Sequence, residues 1–467
     1  MNRCARIALV LTLFAGVLHA VSAIAAVPVP GLGQTRPIAI VGATIHPVSG
    51  PVIPNGTIVF ADGKIVAVGT QSAVTVPADA ERVEGTGRHV YPGLFDPYTR
   101  IGLTEIGSVR ATNDYAELEA VAPNVSAQVA FHPESEIIPV TRTNGVLLAL
   151  IAPIGGVLSG QASVMMLDGW TWADMTLASP VAMHVNWPAM VVERGSGGTA
   201  AEDRQRDARD RALGALKQSF ADARAYWQAK RGAGGKTLHG NDQRWEAMIP
   251  VLERRLPLLV SANEVHQIEA AVAFAAAESL KLVIHGGYDA PFVARLLVEH
   301  DVPVIVSSIY RLPARRAAAY DDPYTLPERL RKAGVRFAIG AGANGWNDRN
   351  LPYHAATAAA YGLPAEDALR AITLSPAEIL GVANRVGSLE PGKDATLFVS
   401  NGDVLEEPTQ VERAYIQGRN VDLSDKQKVL YDKYREKYRR LGLSGPEGTS
   451  SMPGASGSSG GTNSAGH

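Results

Sequence analysis

The sequence predicts an α/β protein: a (β/α)8 TIM-like barrel joined to a small β-sandwich domain built from the N- and C-terminal segments. Three observations carry that expectation. Short β-rich runs lie near both ends, at 38–45, 57–60 and 64–68, and again at 394–399 and 414–421. Between them, apolar runs bounded by turns alternate with helical patterns, as buried parallel strands and their crossover helices do. The 467 residues suffice for one large barrel and one smaller domain.

In chain order, residues 1–25 read as a secretory signal peptide. Arg3 and Arg6 precede the apolar run 7–17, and Ala23-Ile24-Ala25 supplies the small residues of a cleavage site. The run is short for a membrane span. Cys4 is the only cysteine and precedes that run, so a mature chain has neither disulfides nor thiolate metal ligands. Export without disulfides points to a bacterial periplasm. A net charge of −2 gives no reason to expect nucleic acid or an anionic membrane as partner.

The composite β domain is expected over 37–90 and 385–422. Within it, Asp62-Gly63 between two β-rich runs is a hairpin signal. The barrel is expected over 91–384, with later strands at 145–151, 256–260, 281–284, 302–306 and 335–339. Helical patterns cover 267–280, 291–299 and 365–371. A charged amphipathic stretch at 202–231, after the loop 195–198, reads as an insertion or an outer helix. The region 160–188, with Trp170, Trp172 and Trp187, leaves its strands ambiguous. Ser375-Pro376-Ala377-Glu378 reads as a capping box with Pro at the first helical position. Residues 423–442 form a charged helix carrying Leu430, Tyr434 and Tyr438, either solvated or docking a partner. The Gly/Ser-rich tail 443–467 is expected to be disordered.

The organising stretch is Tyr91-Pro92-Gly93-Leu94-Phe95-Asp96-Pro97-Tyr98-Thr99-Arg100. As a first barrel strand it would turn Tyr98 and Arg100 together into the mouth, since alternate residues share a side. It resembles the opening strand of the amidohydrolase superfamily, P-G-L-x-D-x-H-x-H. A second stretch, Ala368-Leu369 through Ser375-Pro376-Ala377 and on through Gly387-Ser388-Leu389-Glu390-Pro391-Gly392-Lys393-Asp394-Ala395, is similar to the signature of imidazolonepropionase-like members. Together the resemblance spans about residues 37 to 421.

That resemblance implies a divalent, zinc-like metal held by two first-strand His, further His on the fifth and sixth strands and an Asp ending the eighth, activating a water for C–N bond hydrolysis. The match, position by position, puts Tyr98 and Arg100 where the His pair belongs. Ser261, with Asn263 two residues on, takes the fifth-strand place, and Ala341 replaces the Asp. His285 is the one ligand retained. No Lys stands recognisably on a fourth strand. A guanidinium cannot ligate a metal. Two unit charges about 4 Å apart repel by roughly 4 kcal/mol at an effective dielectric near 20, and a divalent ion doubles that.

His285 and Asp348 are then the candidate catalytic groups, His285 as a base or new-site ligand and Asp348 in place of the lost Asp. Their plainer readings are a strand-end His and a turn-forming Asp. Tyr98, Arg100, Ser261, Asn263, His266 and His354 are the candidate substrate-binding residues. Two functions from different classes follow. One is a superfamily member whose metal centre has degenerated, expected to need no cofactor and to bind a small, anionic ligand or to partner an intact paralogue. The other is a working hydrolase of cyclic amides or dipeptide-like substrates with a rearranged site and zinc. Arg100 could anchor a carboxylate, or pair internally with Asp96 or Glu105 and plug the site.

Overall fold

The computed structural model describes residues 29–192, 198–232 and 240–443. The signal peptide read over 1–25, and the tail from 444 onward, lie outside these residues. The chain opens with β1 (Ile38–Ile45), β2 (Ile53–Ala61), β3 (Lys64–Thr70), β4 (Glu81–Glu84) and β5 (His89–Pro92). The strands β6 (Leu94–Thr99), β7 (Val146–Ile151), β8 (Leu158–Met166), β9 (Thr176–Asn186), β10 (Leu258–Ala262), β11 (Leu282–Gly286), β12 (Val304–Val306) and β13 (Phe337–Ile339) follow. The chain then adds β14 (Leu397–Ser400), β15 (Val411–Ile416) and β16 (Arg419–Val421).

The first five strands and the last three form one sheet, ordered β16-β15-β14-β5-β1-β2-β3, with β4 beside β1. The two ends of the chain therefore build one β domain. Asp62 and Gly63 form its two-residue hairpin loop with φ of 51° and 75°, the left-handed pair that a type I′ turn requires. The period of two is legible in the packing of β1. Ile38 and Ile40 join a core with Ile58, Phe60, Leu397 and Tyr415, while Ala39 and Val41 pack with Val59 on the other side.

The second sheet runs β6 to β13 in chain order and nearly closes into a barrel. It departs from the expected all-parallel form at one place: β8 is antiparallel to both β7 and β9. The reason is connection length. Only six residues, 152–157, separate β7 from β8, whereas a parallel return needs a dozen or more. Between β8 and β9 the only helix is Trp172–Met175, too short for a crossover. This hairpin accounts for the ambiguity of the tryptophan-bearing region.

The barrel's seam lies between β6 and β13. Asp96, fully buried on β6, accepts from the backbone N–H of Tyr98 at 3.2 Å, and its Oδ2 is buried without a partner. The charged insertion forms a 35-residue helix, Gly198–Gly232, which buries Leu216 and Phe220. Phe220 meets Phe274 edge-on at 5.2 Å, seating it against Val265–Ala277, the helix after β10. The expected capping box is absent. The helix begins at Leu374 with Thr373 at its N-cap, and Glu378 pairs with Arg370 at 2.7 Å instead of reaching back. The helix Lys426–Arg440 buries no residue. Among the described residues no helix is long and apolar enough to cross a membrane.

Candidate functional site

The C-terminal ends of β6, β9, β10 and β11 meet at the barrel mouth. Against β7, Asp96 sits opposite Ala149 and Thr99 opposite Ile151, so β6 carries one residue more than its partner between those points. This bulge breaks the simple alternation. Tyr98 nevertheless reaches the interior, where its ring stacks on His285 with centroids 3.6 Å apart and 19° between planes. Arg100 lies near enough for its charge to depress the pKa values of Tyr98, His184 and His285.

His184, on β9, is the member that sequence reasoning missed. Its Nε2 stands 2.9 Å from Ser261 Oγ and 3.4 Å from the Tyr98 hydroxyl. On its other side Nδ1 lies 3.2 Å from Ser159 Oγ. Ser261 Oγ also lies 3.0 Å from His285 Nδ1, since β10 aligns Ser261 directly beside His285 on β11. Four side chains from four strands thus close one hydrogen-bonded cluster. Burial lowers the His184 pKa to about 4, with Pro153 opposing and Arg100 assisting. Burial, then His184 and Arg100, lower that of His285 to about 3. Both rings are neutral at pH 7. The apolar run ending in His184-Val185-Asn186 was the available signal, hidden by the unassigned hairpin.

The other predicted residues scatter around this cluster. Arg100 holds its guanidinium 4.6 Å over the Tyr115 ring and lines a cavity of about 460 Å³ with Thr104, Asn113, Asn344 and Trp346. It forms no ion pair with Asp96, Glu105 or any other described carboxylate, and its buried Nε has no partner. Asn263 borders a second cavity of about 490 Å³ on the side of β10 and β11, together with His266, Tyr288 and Arg315. Its Oδ1 is buried without a partner and lies where a Cβ on Gly286 would be, 2.2 Å away; Gly286 also holds φ at 97°. Glycine is thus required there to let the carboxamide lie against the strand end.

Asp348 does not join His285. It is buried behind β6, accepts from the Thr99 hydroxyl at 2.5 Å and sits beside Asp96. His266 is exposed and pairs with Glu269 at 3.5 Å. His354 is buried under Tyr310, ring centroids 4.1 Å apart, and burial lowers its pKa to about 4. Tyr98, Ser261 and His285 come together, Arg100 and Asn263 border them, and Asp348, His266 and His354 stand apart.

The residues present do not fit the implied metal. No group of three or more His, Cys, Asp or Glu that could hold an ion occurs among the described residues. The Tyr98 ring covers one face of His285, Ser261 takes its Nδ1 and the inward nitrogen of His184, and Arg100 adds positive charge.

Comparisons with known proteins agree with this architecture. A family model, Amidohydrolase family, matches residues 261–423. An imidazolonepropionase of Symbiobacterium thermophilum is 26% identical over 393 residues, covering 79% of this chain and 88% of that protein. Amidohydrolase tasK of Hapsidospora irregularis is 22% identical over 364 residues, 71% of this chain. The match spans only 36% of tasK's length. A solved amidohydrolase from Thermotoga maritima MSB8 superposes with a TM-score of 0.74 at 27% identity, over 82% of this chain and 99% of that one.

Proposed function

Because the chain belongs to the amidohydrolase superfamily, we propose that it is an exported member whose metal centre has been replaced, and that its barrel mouth binds an anionic small molecule. The observation that carries this reading is Arg100: a permanent cation on a strand end, opening onto a cavity of about 460 Å³ with no described carboxylate paired to it. A guanidinium presents a planar fork that a carboxylate fits with two parallel hydrogen bonds. Internal pairing with Asp96 or Glu105, the plug alternative, has no ion pair to support it.

Small carboxylates are expected to raise the melting temperature of the wild type, and Arg100→Ala is expected to remove that shift while the unliganded variant melts close to wild type. A screen in which no carboxylate stabilises the wild type, while Arg100→Ala melts markedly earlier, would refute the binding site.

Elemental analysis of the purified protein is expected to find well under one transition metal per chain. The Tyr98 ring and Arg100 charge at the first-strand positions are the basis. Stoichiometric zinc, lost to a chelator together with a hydrolase activity, would overturn the replaced-centre reading.

Export rests on Arg3, Arg6, the apolar run 7–17 and the small residues Ala23 and Ala25. In a bacterial host, mass spectrometry of periplasmic protein is expected to find an N-terminus near Ala26. Recovery of a species that keeps residues 1–25 would count against it.

A further inference from the structure

The cluster at the mouth has the parts of a nucleophile and its base. Ser261 Oγ stands 2.9 Å from His184 Nε2, within reach of direct proton transfer. With the single proton of neutral His184 on Nδ1, toward Ser159 Oγ at 3.2 Å, the nitrogen facing Ser261 carries none. Nε2 then keeps its lone pair, and the Ser261 hydroxyl donates to it. Ser261 Oγ in turn accepts from His285 Nδ1–H at 3.0 Å, which fixes its position. Exposure singles out the same residue. Tyr98, His184 and His285 are 3%, 0% and 7% exposed, whereas Ser261 is the one member of the cluster that is only partly buried. The Tyr98 hydroxyl and the positive field of Arg100 border the place where negative charge would develop.

We infer that Ser261 is a nucleophile activated by His184, and that this barrel mouth hydrolyses small carboxylic esters without a metal. This goes beyond anion binding and does not depend on which anion Arg100 holds. As Ser261 Oγ attacks the ester carbonyl carbon, its proton passes to His184 Nε2 and the C=O π pair moves onto the carbonyl oxygen. That oxyanion is met by Tyr98 and Arg100. When the pair returns, the bond to the alkoxy oxygen breaks and His184 gives its proton to the departing alcohol. Water then attacks the Ser261 ester and loses a proton to His184; as the acyl–Oγ bond breaks, His184 returns that proton to Ser261 Oγ and the acid leaves. The sum is ester plus water to acid plus alcohol.

An alkyl fluorophosphonate probes the site directly, since a serine activated in this way displaces fluoride and keeps the phosphonyl group. The full chain is expected to gain one adduct, mapped by peptide mass spectrometry to Ser261. Ser261→Ala is expected to remain unlabelled, and His184→Gln to label at least about 100-fold more slowly, the scale of general-base assistance. Labelling is expected to be indifferent to chelators. A cooperatively melting wild type that carries no adduct on Ser261 overturns the inference, whether or not either variant folds. So does an adduct mapped elsewhere, or labelling that a chelator abolishes. The carboxylate-dependent melting shift is read on the same wild-type sample. Its persistence without labelling would sink the nucleophile and leave the binding reading standing.

Discussion

Asp394→Ala is expected to lower the unfolding free energy by about 2–3 kcal/mol, the scale of losing charge-assisted hydrogen bonds to a buried carboxylate. The Asp394 side chain is 1% exposed and accepts from Lys64, from Arg385 at 2.7 Å and from Gln417 at 3.1 Å. Arg385 also donates to the Leu177 carbonyl at 2.7 Å, so this carboxylate organises the join between the β domain and β9 of the barrel. Burial alone would raise its pKa. Lys64, Gln417 and Arg385 outweigh burial and hold it below the ordinary carboxylate range. A depressed folded pKa means the stabilisation is present above about pH 4 and lost as pH falls through the folded value. Urea unfolding at pH 7 measures the effect. A loss under about 1 kcal/mol would place Asp394 among ordinary exposed ion pairs and defeat the prediction.

Asp348→Asn is expected to stabilise the protein at pH 9 relative to wild type and to change it little at pH 5. Burial first, then the neighbouring Asp96 carboxyl, raise the Asp348 pKa well above its ordinary value, against the opposing bond from Thr99. A raised folded pKa contributes stability that is complete below the unfolded value near 4 and lost as pH rises through the folded one. Every tenfold difference in proton affinity between the folded and unfolded chain is worth about 1.4 kcal/mol. Asn keeps an acceptor for the Thr99 hydroxyl and cannot ionise. The neutral histidines act with the opposite sign and lower down. His184, His285 and His354 have depressed pKa values, so they cost stability as pH falls below about 6.5. The wild type should therefore be most stable between the two effects. Equal melting differences between variant and wild type at pH 5 and pH 9 would sink the acid-pair account.

The barrel, the composite β domain and the residue types at the motif positions were all legible in the sequence, because each is a local feature. Apolar runs of strand length, the Asp62-Gly63 turn, and the side chains at positions such as Tyr98, Arg100 and Ser261 can be read without knowing what lies across the fold. What those side chains touch could not be read that way. His184 lies 77 residues from Ser261 and 86 from Tyr98, and neither spacing carries a periodic signal that could join them. Asp348 reads as a mouth residue from its place after β13, yet the loop turns it behind β6 toward Thr99 and Asp96. The antiparallel β8 and the bulge in β6 likewise depend on pairing between strands. Periodicity reports which side of an element is buried. Which side chains converge depends on register, bulges and loop paths, and these are set only when the strands close around a common core.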